Sequence, residues 1–110
     1  MKIYLIKTAE VCPLSNSQMA KDMPSAKGAF TDIVVPSRNK IEANTKAKEA
    51  MFNNGYTMIG FEKIIDFDEF VWEDEDLEIE FKAMAWDAFS KGLVGNGPFY
   101  CWDEDEEKKE

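Results

Sequence analysis

Three observations predict an α+β fold, with a small, mostly antiparallel sheet of three to four strands packed with two helices. Short apolar runs bounded by turn residues recur along the chain. Two longer segments carry helix caps and helical spacing. The length of 110 residues and the apolar fraction of 45% suit a single hydrophobic core. Residues 1–102 are expected to form one acidic globular domain, and residues 103–110, DEDEEKKE, a disordered acidic tail with nothing to bury.

The first element is Lys2 to Thr8, KIYLIKT. Ile3 and Leu5 lie on one parity and Tyr4 and Ile6 on the other, as in a central strand covered on both faces. From Ala9 to Ala29 polarity rises and Pro13, Pro24 and Gly28 punctuate the chain. This stretch is compatible with a loop that holds a short helical turn around Ser17 to Lys21. Phe30 to Val35, FTDIVV, reads as a strand that stops at Pro36.

The next segment is a helix. Asn39 can cap it, with Glu42 three residues on, and Asn53, Asn54 and Gly55 end it. Ile41, Ala47 or Lys48, Met51 and Phe52 are expected near one core-facing stripe. Arg38, Lys40, Lys46 and Lys48 make a basic cluster. They suit a solvated helix face, or a contact for an acidic group or for the chain's own acidic half. Tyr56 to Ile65, YTMIGFEKII, follows as a strand, bent or bulged at Gly60.

Between Asp66 and Glu80 carboxylates alternate with large apolar residues, and no lysine or arginine intervenes. A helix from about Asp74 puts Leu77, Phe81, Met84, Ala85 and Ala88 on one stripe. Acids crowd its first turn, Lys91 lies in its last, and Gly92 stops it. A strand is the competing reading, because Leu77, Ile79 and Phe81 alternate with Glu78, Glu80 and Lys82. The helix is favoured, since Ala, Met, Glu, Leu and Lys dominate. Ile79 and Trp86 then make a second apolar stripe, for which burial against the sheet is favoured over an exposed aromatic patch. Beyond it, GLVGNGP is a turn without the GK[ST] ending of a phosphate loop, and Phe99 to Trp102 supply a last strand or pack over the core.

The chemistry is narrowed by what the chain lacks. It has no histidine, and so neither the usual base near neutral pH nor the commonest transition-metal ligand. Cys12 and the serines have no histidine partner, and WEDEDLEIE has no glycine for a calcium loop. No enzyme activity, cofactor or dedicated metal site is expected. Cys12 and Cys101 read as two ordinary thiols of a cytosolic protein rather than a disulfide, and no apolar run is long enough to span a membrane.

Charge is the strongest remaining signal. Residues 1–60 hold eight Lys/Arg against five Asp/Glu, a net of +3, and residues 61–110 hold five lysines against seventeen acids, a net of −12. So strong a negative field disfavours direct binding to nucleic acid or to anionic membranes and suits a basic or nucleic-acid-binding protein partner. Two readings follow. In one the chain is an inhibitor that shows carboxylates where a nucleic acid shows phosphates. Asp66, Asp68, Glu69, Glu73, Asp74, Glu75, Asp76, Glu78, Glu80 and Asp87 would be its face, and Phe70, Trp72 and Trp86 its apolar anchors. In size and acidity the chain resembles small phage-encoded proteins that disarm restriction or CRISPR complexes, a likeness of type that no motif carries. In the other reading it is an acidic adaptor that binds one partner through its aromatics, with the acids serving solubility. A homodimer on the Ile79/Trp86 stripe is a third possibility.

Overall fold

The computed structural model describes residues 1–103; the rest of the expected tail, residues 104–110, lies outside the described residues. The chain runs β1 (Lys2–Pro13), α1 (Gln18–Asp22), β2 (Ala26–Ser37), α2 (Lys40–Asn53), β3 (Tyr56–Gly60), β4 (Lys63–Asp66), a 3-10 turn (Phe67–Glu69), α3 (Glu75–Lys91), β5 (Gly95–Asn96) and β6 (Tyr100–Asp103). The α+β class and the antiparallel sheet are as expected. Among the described residues the sheet has six strands, and three helices accompany it.

Those six strands fill four lanes. The long strands β1 and β2 pair at the centre, β3 and β4 follow one another along the outer side of β1, and β5 and β6 do the same along β2. Alternation then divides the core. Tyr4, Ile6, Ile33 and Val35 face α1 and α2 and meet Met19, Ala43, Ala47 and Met51. Leu5 and Val34 face the other way, toward Phe67 and the Phe81, Ala85 and Ala88 stripe of α3. The result is three layers, with α2 and α3 on opposite faces of the sheet.

β1 continues five residues past Thr8, because a bulge resets it. Ile6 pairs with Ile33 and Ala9 with Thr31, so Lys7 and Thr8 together oppose the single residue Asp32. Before the bulge even-numbered residues face α2; after it Ala9 and Val11 do. Thr8 takes φ 54°, unusual for a β-branched residue, and Asp32 holds it there. The Thr8 amide donates to Asp32 Oδ1 (2.9 Å), and Lys7 Nζ donates to Oδ2 (3.0 Å). The neighbouring lane breaks at the same level. Instead of one strand bent at Gly60, the chain interrupts at Phe61 and Glu62, where the Glu62 amide donates to the Lys7 carbonyl (2.9 Å).

β2 likewise begins earlier than its apolar run, at Ala26, and carries Pro36 inside it, paired with Ile3. Pro36 lies beyond the last β5 pair at Val34, where the ladder is one-sided and a missing N–H costs little. Gly28 is required by Trp102, whose indole covers it so closely that a Cβ would lie 2.7 Å from the ring. The Cys101 side chain shares the Ala29 and Val11 face through strand pairing, whereas Cys12, next to Val11, points to the other, and both thiols are free.

α2 is capped as expected, Asn39 Oδ1 accepting from the Glu42 amide (2.8 Å), but the stripe read from the sequence is corrected. Its buried residues are Ala43, Ala47 and Met51, whereas Ile41 is 82% and Phe52 63% exposed. The alanines let the helix backbone approach the sheet, and that turns the two larger residues outward. Residues 75–91 form the favoured helix, not the competing strand. Asp74 Oδ1 accepts from the Leu77 amide (3.1 Å), and Gly92 closes it in the left-handed conformation at φ 68°.

Candidate interaction surface

The three tryptophan and phenylalanine anchors expected from the sequence have different fates. Trp72 is half-buried: it stacks on Phe81 (ring centroids 5.2 Å), meets the edge of Phe70 (4.6 Å) and touches Phe67 (5.8 Å). Phe70 is held as well, with Lys7 Nζ 5.1 Å and Lys63 Nζ 6.0 Å from its ring centre. These rings seal the α3 side of the core. The favoured burial of the second stripe is corrected: Trp86 stands 74% exposed on the outer side of α3, with Ile79 61% exposed one heptad before it, because the sheet-facing side of the helix is filled by Leu77, Phe81, Met84, Ala85 and Ala88.

The acids fall into two groups. Asp66, Glu78 and Asp87 are paired, with Lys2 (3.3 Å), Lys82 (2.6 Å) and Lys91 (3.1 Å). Asp66 also caps the 3-10 turn by accepting from the Asp68 amide (3.1 Å), and its hydrogen bond and charge raise the Lys2 pKa. Asp68, Glu69, Glu73, Asp74, Glu75, Asp76 and Glu80 are exposed, and among the described residues no cation lies within 4 Å of any of them. They occupy the 3-10 turn, the loop after it and the first half of α3. There Asp74, Glu75 and Asp76 complement the positive end of the helix dipole.

A helix turns about 100° per residue, so α3 divides into three bands. Leu77, Phe81, Met84, Ala85 and Ala88 face the sheet. Asp76, Glu80 and Asp87 form an acidic band. Between that band and the sheet's other side run Ile79, Ala83 and Trp86, then Phe89. Below Trp86 and Phe89 lies a groove of about 360 Å³ whose wall includes Ile3, Phe67 and Ala85, with Lys2 and Asp68 at its rim. Phe89 and Leu93 were not singled out from the sequence. Their spacing of three and seven residues from Trp86 was the available signal.

The basic cluster stays on its own face. Lys46 Nζ donates to the Pro36 carbonyl (2.9 Å) and pairs with Glu42 (3.2 Å); Arg38 pairs with Glu42 as well (2.8 Å). Hydrogen bonds from Arg38 first, then Lys46, hold the Glu42 carboxyl at about 2. The α2 cluster and the unpaired acids around α3 therefore lie on opposite sides of the sheet.

Among the described residues no group of three or more Cys, Asp or Glu side chains is placed to hold a metal ion, and no helix is long and apolar enough to cross a membrane. Comparison with protein-family models, curated proteins and solved structures found no match for this chain. Fold and surface together define a layered acidic α+β domain with one outer helix that combines unpaired carboxylates with an exposed indole.

Proposed function

We propose that the chain is a non-enzymatic inhibitor whose acidic face stands in for nucleic acid and blocks a nucleic-acid-binding protein or complex, in the manner of anti-restriction or anti-CRISPR proteins. The observation that carries this reading is the set of seven exposed acids without a cation within 4 Å among the described residues, on the 3-10 turn, the loop after it and the first half of the helix that also exposes Ile79 and Trp86. A polyanion-binding cleft gains from such a face by the same steering it uses for phosphates, and an apolar anchor adds affinity that charge alone does not. Exposure of Trp86, Ile79 and Phe89 also favours the adaptor reading, in which the apolar ridge binds one partner and the acids are dispensable.

Charge reversal separates the two. Asp74 must be spared because it caps α3, so the informative variant carries Asp68→Lys, Glu69→Lys, Glu73→Lys and Glu80→Lys. Partners captured from host extract are challenged with DNA or RNA. The inhibitor reading expects nucleic acid to displace them and the reversed variant to lose them. Partners that ignore nucleic acid and persist with the reversed variant overturn it in favour of the adaptor.

A further inference from the structure

The two outer helices carry matching surfaces of opposite charge. On α2, Ile41, Thr45, Lys48 and Phe52 recur at i, i+4, i+7 and i+11, one exposed stripe along the helix. Lys40 at its start and Lys48 within it have no carboxylate within 4 Å among the described residues. On α3, Ile79, Ala83 and Trp86 recur at i, i+4 and i+7 beside Asp76 and Glu80. Each stripe therefore has bulky apolar residues at its ends and a smaller residue, Thr45 or Ala83, between them; α2 adds the unpaired Lys40 beside its stripe and Lys48 within it, with Glu49 next to Lys48, and α3 adds the unpaired acids Asp76 and Glu80.

We infer that the partner these surfaces fit is a second copy of the chain, α3 of one molecule docking on α2 of the next. With the two helices parallel, Ile41 would pack on Ile79, Lys40 would lie between Asp76 and Glu80, and Phe52, about 6 Å further along at 1.5 Å per residue, would cover the far side of Trp86. Because α2 and α3 lie on opposite faces of the sheet, each molecule that uses one face leaves the other open. The contact is head-to-tail and generates an open chain, or a ring of more than two copies, rather than a closed pair. A two-fold pairing of α3 with α3 is disfavoured. Set antiparallel, it brings the two Asp76, Glu80 and Asp87 bands to the same side of the contact, like charge against like. The inference does not rest on the inhibitor reading, since it needs no other protein and survives a failure to compete with nucleic acid.

The test uses the full chain and two variants at exposed positions, Phe52→Glu and Trp86→Lys, with circular dichroism to show that both are folded. In sedimentation velocity over a rising concentration series, the native chain is expected to grow past two copies. Growth should weaken at high salt, where close charge pairs are screened. Each variant alone is expected to lose association by about thirtyfold or more, the scale of an interfacial hot spot. An equimolar mixture keeps one intact α2 face and one intact α3 face, so it must restore association and stop at one-to-one pairs. A native chain that stays monomeric, one that stops at a dimer, or a mixture that fails to pair overturns the inference.

Discussion

The helices α2 and α3 cover opposite faces of one sheet, and they do so by different means. α2 lies against the sheet on Ala43 and Ala47 with Met51 as its only large buried side chain, whereas α3 buries Phe81 within a cluster that includes Phe67, Phe70 and Trp72. Outside, the pattern reverses in sign: lysines flank an apolar stripe on α2, and free carboxylates flank one on α3. The lesson is that residue type alone does not separate fold from surface. Trp72 and Trp86 are two heptads apart in the same acidic stretch, yet one closes the core and the other faces solvent.

The largest break in this comparison is Phe81→Ala, which should cost about 3–5 kcal/mol in urea unfolding, because it removes the ring under Trp72. Met51→Ala removes the one large buried side chain of α2 and should cost about 2–5 kcal/mol on the same scale. A smaller effect, about 1–3 kcal/mol, is expected of Ala47→Leu, which forces α2 away from the sheet; Ala83→Leu on the outside of α3 should stay within about 0.5 kcal/mol. The caps come next. Asn39→Ala and Asp74→Ala should each cost about 1 kcal/mol and so weigh the two helix starts against one another.

The smallest and most specific effect is on pH dependence. Glu42 has its folded pKa lowered from 4.5 to about 2, so the stability it contributes to the α2 start is present above its unfolded pKa and is lost as pH falls from about 4.5 toward 2. The difference in urea midpoint between the native chain and Glu42→Gln should be constant above that window and shrink within it.

How much of this was legible in the sequence follows from how local each signal is. The α3 boundaries were readable because Asp74, the acids after it and Gly92 act within one turn of the helix. The Asn39 cap was readable for the same reason. The facing of α2 was not, since Ile41 and Phe52 outweigh Ala43 and Ala47 in any count of apolar character, and only the closeness of helix to sheet favours the alanines. The length of β1 was hidden by its bulge. A one-residue offset at Lys7–Thr8 changes the parity, and the residue that accommodates it, Asp32, is distant in the chain. Of the candidate surface, the acids were legible as a group, but which of them a lysine neutralises depends on residues as remote as Lys2 and Asp66.

The interruption of the outer lanes has a consequence for how the molecule behaves in crowded solution. Both long strands are enclosed at the centre of the sheet, and the strands left at its margins run for five residues at most, four of them or fewer in β4, β5 and β6. A foreign strand that tried to extend the sheet would find its template broken at Phe61 and Glu62 on one side and between Asn96 and Tyr100 on the other. Concentrated stocks should therefore resist cross-β aggregation, growth by strand addition rather than by contact between folded helices, even when salt or neutralising substitutions remove the mutual repulsion of the acids, a protection written into backbone geometry and independent of pH.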